Sequence, residues 1–399
     1  MEALLFFVAI AAVVGLLVVP AIRRRRALEG SAALPARLTD PDHYGFVPPE
    51  RLDVRLPGPD RELTDALEET QRTQDWQPVA RLLALTGDDW ELRWQRVQSL
   101  AGAAAMELAR SRTAPADGPA ASSPSPSPAS SDPLSLSKDP DAAPVPQDAR
   151  WLRQWRSSSP RDAGCAQVYA QFLVWQALGG TGSADRRIIL EEAREIAREA
   201  ARIAPADPTP YITDLFAARA LGLRPADFEA LWEEVRRRAP HHMGAHLAAL
   251  QYWSAKGHGS KDDAYSFAEG AAGRAPEGSL LPALPLFAVY DHLPEANMVS
   301  GLYRSAVVEQ AVAGAQYALH HAPAGHPVAP HVRHLLLCFL VRAERYAEAL
   351  EQVRAVDGYV GAVPWVDGGD PAAEYAAYRA LAVAGYETRG DATRIPPSH

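Results

Sequence analysis

Apolar residues recur through most of the chain at the spacing that predicts amphipathic α-helices. Ala264, Ala268 and Ala271 stand at positions i, i+4 and i+7, and Pro276 follows them. Residues at this spacing lie on one face of a helix, and a proline cannot continue that helix. The same register recurs at Ala193, Ala197, Ala200 and Pro205, at Ala311, Ala315, Ala318 and Pro323, and with larger apolar residues at Phe228, Trp232, Val235 and Pro240.

The spacing of the four copies predicts stacked helical hairpins. Their prolines stand 35, 36 and 47 residues apart, and a helical repeat of about 34 residues forms helix pairs that stack on one another. Each copy is predicted to be the second helix of a pair, because small residues let a partner helix come close. The first helices are predicted at 211–221, 245–255, 280–291 and 331–342.

In this pattern the chain resembles the tetratricopeptide repeat, whose second helix has small residues at the same spacing and ends before a proline. A fifth second helix is predicted at 344–354, whereas the Trp-x2-Leu-Gly-x2-Tyr pattern of the family's first helix does not occur as a unit. The resemblance implies an all-α fold, a tetratricopeptide-like solenoid of helical hairpins over 151–399. It also implies a concave groove, lined by the first helices, that binds peptide tails.

Two features predict a bacterial origin. Residues 250–260 are similar to stretches of bacterial proteins of unknown function. Alanine, proline and arginine are abundant, whereas lysine occurs only at positions 138, 256 and 261, as in proteins from GC-rich bacterial genomes.

The N-terminal stretch predicts a membrane anchor. Residues 3–22 contain no charged side chain, and twenty helical residues span the roughly 30 Å hydrocarbon layer of a bilayer. Four arginines follow at 23–26, whereas a cleavable signal peptide would carry its positive charges before the apolar run. The positive-inside rule then places the rest of the chain in the cytoplasm, anchored by one helix to the bacterial inner membrane.

Composition divides the chain after the anchor, which with its arginine cluster comprises 1–26. Residues 27–60 are rich in Pro, Asp and Gly and predict a juxtamembrane spacer without a core, and 61–112 predict a small helical segment. Residues 113–150 are rich in Pro and Ser and predict a disordered linker to the repeats at 151–399. Trp90 and Trp94 in the helical segment are either core residues or a ligand platform, and whether the segment packs on the repeats is left open.

Several function classes are disfavoured by the sequence. A net charge of −9 with a pI near 5.8 disfavours nucleic acid as a partner. Cys165 and Cys338 lie far apart and predict neither a disulfide framework nor a thiolate metal site. No nucleotide-binding, zinc-protease, serine-hydrolase or calcium-loop motif occurs. We therefore predict no catalytic residue, no cofactor and no enzymatic activity.

The predicted site for a protein or peptide partner lies on the third hairpin. Lys256 could bind a carboxylate, while Tyr252 and Trp253 supply apolar contacts. The alternative is that the two aromatic residues are core and Lys256 is a cation at a helix end. The full predicted partner-binding set is Asp214, Arg219, Gln251, Tyr252, Trp253, Lys256, His258, Asp291 and His292.

The sequence thus predicts a membrane-anchored cytoplasmic scaffold that binds a protein or peptide partner through the groove. The alternative is a metal-binding protein or enzyme, because His242 and His246 are four residues apart and His331 and His334 three apart. A third possibility is a sensor whose groove takes a small ligand.

Overall fold

The computed structural model of the protein describes residues 44–113, 148–179, 183–294 and 301–388. Within these ranges the fold is all-helical, with fifteen α-helices and, apart from an isolated bridge between Asp53 and Tyr359, no β-structure. The all-α prediction is confirmed. None of the described helices is long and apolar enough to cross a bilayer, and the predicted anchor at 3–22 lies outside the described residues.

The helices are numbered here in chain order. They are α1 (Arg61–Thr73), α2 (Gln77–Thr86), α3 (Trp90–Thr113), α4 (Arg150–Ser158), α5 (Ala163–Leu178), α6 (Ser183–Ile203), α7 (Thr209–Leu221), α8 (Pro225–Arg238), α9 (Met243–Trp253), α10 (Lys261–Gly273), α11 (Leu284–Asp291), α12 (Ala306–His321), α13 (Ala329–Arg342), α14 (Tyr346–Val356) and α15 (Pro371–Thr388).

The four helices that carry the repeated register end, and bury one face, as the sequence predicts. Helices α6, α8, α10 and α12 end two or three residues before their prolines, because proline excludes its preceding residue from the helical region. All twelve apolar positions of the register are buried, and Ala193, Ala264 and Ala315 have no exposed surface. The small side chains therefore form the packed faces of these four helices.

Successive helix pairs contact one another along the chain. In each pair from α5/α6 to α13/α14 the two helices pack together. Each first helix also contacts the next first helix, so that α5, α7, α9, α11, α13 and α15 form a continuous series. We call α5–α15 the row.

The N-terminal block, residues 44–113, packs on the row. Helix α3 contacts the first helices α5, α7 and α9, which answers the question that the sequence left open for 61–112. Both hydrophobic cores combine the two parts: one joins Trp94 to α7–α15, and the other joins Leu63 and Leu100 to α5–α7. The block and the row therefore share their buried interior.

Residues 44–60 differ from the coreless spacer that their proline and glycine content predicts. Phe46, Leu52 and Leu56 are buried. The Asp53 N–H donates to the carbonyl of Gly358, and the Val360 N–H donates to the carbonyl of Asp53, both over 2.8 Å. Apart from one 3-10 turn at Pro49–Arg51, the segment forms no helix, and it packs through these apolar side chains and backbone hydrogen bonds.

The block runs along the row in the direction opposite to the order of the helices. Its first described residue, Tyr44, donates a 2.9 Å hydrogen bond to Glu387 of α15. Pro57 contacts α13, and Trp94 contacts α9. The block thus starts, at Tyr44, beside the last described helix and reaches the first pair through α3.

Candidate functional site

The contact between α3 and α9 depends on a glycine. A Cβ atom at Gly244 would lie 2.6 Å from both Cε3 and Cζ3 of Trp94, closer than real Cβ atoms approach other atoms. The Glu91 carboxylate accepts hydrogen bonds from the backbone N–H groups of Met243 and Gly244 at the start of α9. A carboxylate is stabilised at a helix N-terminus by the free N–H groups and the helix dipole, so Glu91 and Trp94 together hold α3 to α9.

One histidine of each predicted pair, His242 and His334, also forms a hydrogen bond with the block. His242 accepts a 3.1 Å hydrogen bond from the Ala245 N–H at Nδ1 and donates from Nε2 to the Trp90 carbonyl over 3.1 Å. His334 donates from Nε2 to the Pro57 carbonyl over 2.9 Å and accepts at Nδ1 from the Trp365 indole. Both ring nitrogens of each histidine thus have hydrogen-bond partners within the fold.

Burial keeps three histidines uncharged. It lowers the pKa of His246, His331 and His334 to about 4, and for His334 the hydrogen bond to Pro57 opposes this shift. Within the ranges that the structure describes, no group of three His, Cys, Asp or Glu side chains is placed to hold a metal ion. These imidazoles pack and donate hydrogen bonds inside the fold.

Ion pairs with little exposure tie the block together and to the row. Arg93 of α3 lies 2.8 Å from Asp207, just before α7. Arg96 lies 2.9 Å from Asp60, the N-cap residue of α1, and 2.7 Å from Glu62. Because Arg96 and Asp207 are almost fully buried, loss of either partner would leave an uncompensated charge.

A cleft remains open between the block and the row. Its volume is about 640 Å³. The walls on the block side come from α1, α3 and residues 54–57, and the opposite walls come from five first helices, α5 to α13, and residues 361–367. We call this space the cleft; its apolar lining includes Leu67, Met106, Trp175, Phe216, Leu247 and Phe287.

Three polar atoms of cleft residues have no hydrogen-bond partner within the described chain. They are the indole Nε1 atoms of Trp94 and Trp175 and the amide Nε2 of Gln98. Trp94 is only 8% exposed. Each of these atoms has almost no accessible surface, so the three N–H groups are enclosed by packed protein and do not open onto the cleft.

Four of the sequence-predicted site residues lie together at one edge of the cleft. Arg219 donates a 3.0 Å hydrogen bond to the Gln251 side chain, and the Lys256 Nζ lies 3.6 Å from the Asp291 carboxylate. Gln251 and Asp291 also line the cleft. We call these four residues the rim; they come from the ends of α7, α9 and α11 and from the turn after α9.

The aromatic members of the predicted set lie away from the cleft. Tyr252 has no exposed surface, stacks on Phe228 at 3.7 Å between ring centroids, and donates a 2.6 Å hydrogen bond to the Leu223 carbonyl. Trp253 meets Phe228 edge to face. His258 packs on Tyr252 and lies 3.2 Å from the Arg219 carbonyl. The core alternative that the sequence offered describes Tyr252.

The two remaining predicted residues make local contacts. Asp214 is 3% exposed and lies 2.5 Å from Arg194 of α6. His292 accepts a 3.3 Å hydrogen bond from the Ala255 N–H. Asp214 therefore joins α6 to α7, and His292 joins the end of α11 to the turn after α9.

Sequence reasoning did not find the cleft. Trp94 was considered as part of a ligand platform, but its contact with Gly244 joins positions 150 residues apart. Gln98, Trp175 and Phe216 carry no local signal, because each lies at an ordinary apolar or polar helical position. Only the packing of the block on the row brings them together.

The chain matches no protein-family model, and it shows no significant similarity to a curated protein or to a solved structure. Its function is therefore argued from the geometry of the cleft and the rim.

Proposed function

We propose that this chain is a membrane-anchored, cytoplasmic binding protein of the bacterial inner membrane, built on a tetratricopeptide-like solenoid, and that the cleft holds its ligand. The observation that carries the proposal is the cleft itself. The block packs against the first helices that would line a peptide groove, whereas the cleft stays open.

The dimensions and walls of the cleft support this role. Its volume of about 640 Å³ lies within the range of about 300–1,000 Å³ that is usual for small-molecule sites. Such sites have mainly apolar and aromatic walls with a few polar groups that orient the ligand. Gln95, Ser99 and Gln251 are polar side chains in the lining that supply such groups.

Binding without catalysis is supported by the state of the charged groups around the cleft. Asp291 lies beside Lys256, Asp367 accepts a 2.5 Å hydrogen bond from Tyr290, and Arg55 pairs with Asp53. His331 is kept neutral by burial, which lowers its pKa to about 4. These groups are engaged with one another in the fold, which favours a structural role for them.

A scaffold for a protein partner is the second candidate. The observation that favours it is the rim, where exposed Gln251 and Lys256 stand beside Arg219 and Asp291 on three adjacent first helices. A partner's segment would contact these groups from outside, next to the cleft, without displacing the block.

One experiment compares the two candidates. Full-length protein is purified in detergent as wild type, Gly102→Phe and Gly273→Phe. Small molecules and proteins that co-purify in stoichiometric amounts are identified by mass spectrometry. A Cβ atom at either glycine meets no atom within 4 Å, but only Gly102 lines the cleft, so the first variant fills the cleft and the second is its matched control.

A small molecule that is lost from Gly102→Phe and retained by Gly273→Phe supports the ligand cleft. Equal retention by both variants contradicts it. A protein partner that co-purifies with Gly102→Phe but not with Lys256→Glu supports the scaffold instead.

A further inference from the structure

We infer that the ligand of the cleft is an amphipathic acid, whose apolar body lies in the cleft and whose carboxylate or phosphate group lies at the rim, beside Arg186 of α6. This inference rests on the proposed ligand cleft and adds the chemical class of the ligand. It follows from the place where the apolar lining ends, and from the arginines that stand there without a carboxylate partner.

The lining of the cleft changes from apolar to polar and charged within one helical turn. Three adjacent first helices each contribute an apolar lining residue and, three or four positions later, a residue of the rim. The pairs are Phe216 and Arg219 on α7, Leu247 and Gln251 on α9, and Phe287 and Asp291 on α11. Residues at this spacing lie on the same side of a helix, about 5 Å apart along its axis. A molecule that lies along the apolar lining can therefore place one end at the rim.

Two arginines at this edge form no ion pair within the described chain. The Arg219 side chain bonds only to the Gln251 amide oxygen, and the Arg186 side chain has no hydrogen-bond partner there. Both residues are half-buried. Of the guanidinium nitrogens without a partner, Arg186 Nε is enclosed, whereas Arg219 Nε and Nη2 and both Nη atoms of Arg186 keep accessible surface. An anionic oxygen can reach these donors from solvent and form charge-assisted hydrogen bonds with them.

The two arginines are near enough to act on each other. Burial lowers the pKa of Arg219, Asp291 opposes this shift, and Arg186 adds to it. A guanidinium stays charged in proteins, so an anion beside both groups relieves their mutual repulsion. Lys256 adds a third cation, 3.6 Å from Asp291, with a side chain that is 45% exposed. Ion pairs between partly exposed side chains contribute little, so Lys256 can also turn to a ligand.

The rim, and not the lining of the cleft, gives the preference for an anion. The charged residues in the described lining are Arg55, Arg110, Asp291 and Asp367, whose formal charges balance. At the rim, by contrast, Arg186, Arg219 and Lys256 stand with one carboxylate, that of Asp291.

The helix ends at this edge are capped by following backbone groups. The N–H groups of Leu223, His258 and Leu293 donate to carbonyls in the last turns of α7, α9 and α11. These bonds satisfy part of the free C-terminal carbonyls, which carry the negative end of a helix dipole. The cations at the rim therefore keep a positive field for a ligand.

The test uses four eight-carbon probes, namely octanoate, octyl phosphate, 1-octanol and octylammonium. Each is titrated by isothermal titration calorimetry into full-length protein in phosphatidylcholine nanodiscs, where no detergent competes for the cleft. Gly102→Phe, which fills the cleft, measures partition into the same lipid. We expect at least one of the two anions to bind wild type tenfold more tightly than octylammonium, with 1-octanol between them, and their ranking identifies the preferred head group. Gly102→Phe should show no saturable binding.

Arg186→Gln and Arg219→Gln test the two arginines individually. Each removes the positive charge and should weaken binding of the preferred anion by roughly 2- to 12-fold, as for loss of one hydrogen bond, while 1-octanol binds as before. Arg219→Lys keeps the charge and should recover part of the loss. Arg187→Gln is the matched control, because Arg187 is 73% exposed and paired with Glu191, and it should bind like wild type.

The outcomes separate the head group from the cleft. If Gly102→Phe abolishes binding of all probes but both glutamine variants bind the anions like wild type, the cleft stands and the anion site is overturned. Octylammonium binding as tightly as the anions has the same meaning. If Gly102→Phe retains anion binding and Arg219→Gln loses it, the rim binds anions without the cleft, and a single ligand across both is overturned. If Gly102→Phe binds every probe like wild type and the arginine variants do too, the ligand cleft and the inference fail together.

Discussion

The indole of Trp94 lies against the backbone of Gly244, with no room between them for a side chain. This contact joins α3 to α9 and forms part of the wall of the cleft. Because Trp94 comes from the block and Gly244 from the row, the pair holds the two parts of the molecule at the distance that leaves the cleft open.

The first prediction concerns this contact. Replacing Gly244 by Ala should lower the free energy of unfolding by about 1–3 kcal/mol, the usual cost of overpacking a well-packed site. Denaturant titration measures the loss. Trp94→Leu in the same chain removes the clash and should recover part of it. Gly102→Ala is the control, since open space surrounds that position, and it should be neutral or stabilising. A Gly244→Ala protein as stable as wild type would contradict the contact.

The second prediction concerns acid stability. His246, His331 and His334 have pKa values lowered from 6.5 to about 4 by burial. Between pH 6.5 and 4 the unfolded chain binds more protons than the folded chain, so stability falls as the pH falls. The stability that these neutral histidines contribute is fully present above about pH 6.5. Each histidine contributes at most about 1.4 kcal/mol per pH unit in this window.

His334→Gln isolates one of these groups. The amide of glutamine can donate to the Pro57 carbonyl and accept from the Trp365 indole as His334 does, but it does not titrate. Denaturant titrations from pH 7.5 to 4.5 should show a shallower loss of stability in this variant. Replacement of the exposed His320 by Gln is the control, and an unchanged slope in His334→Gln would show that His334 does not contribute.

The third prediction concerns Asp357, the acceptor that ties the start of the block to α15. It accepts from the Val47 N–H over 2.6 Å, from Arg379 over 2.7 Å and from the Tyr375 hydroxyl over 3.1 Å. The Asp357 and Arg379 side chains are 11% and 6% exposed. Asp357→Ala should destabilise the protein by about 3–5 kcal/mol, because it leaves the buried arginine without its carboxylate partner.

Hydrogen exchange locates that effect. In Asp357→Ala the amides of residues 46–56 should exchange faster than those of α6, where no contact is lost. Glu191→Ala breaks an ion pair with Arg187 whose side chains are 53% and 73% exposed, and should cost at most about 1 kcal/mol. Equal effects of the two substitutions would contradict the role of Asp357.

The fourth prediction concerns Cys165, which is fully buried in α5. Burial raises the pKa of its thiol to about 12, and the thiolate is the reactive form. At pH 8 a thiol reagent should therefore label Cys165 only at the rate of unfolding. The label is located by peptide mass spectrometry. Rapid modification in the folded protein would contradict its packing.

The sequence predicts the local structure of this protein better than its assembly. The register of Ala264, Ala268 and Ala271 predicts a helix, its buried face and its end, because all three depend on neighbours within a few turns. Residues 44–60 show the opposite case. Their prolines and glycines predict an open spacer, yet they bind to residues around 358–361, some three hundred positions away.

The candidate site likewise contains residues that the sequence places correctly and residues that it does not. The sequence predicts the polar residues Arg219, Gln251, Lys256 and Asp291 as binding residues because it places them on neighbouring first helices, and they meet at the rim. Tyr252 occupies a similar sequence position but turns towards Phe228 of the paired helix. A one-residue step along a helix rotates the side chain by about 100°, so a segment cannot contribute all of its residues to one surface.

The bond between Tyr44 and Glu387, together with the pairing of Asp53 with Gly358 and Val360, gives the protein an order of assembly. On the ribosome, the block is made first and the helices that receive its leading segment are made last. The contacts of α3 with α5, α7 and α9 can form as those helices are made, but the cleft acquires its remaining walls only when α11, α13 and residues 361–367 follow. A chain cut before α13 would keep its local helices, yet it would lack the wall and the attachment points that give the cleft its shape.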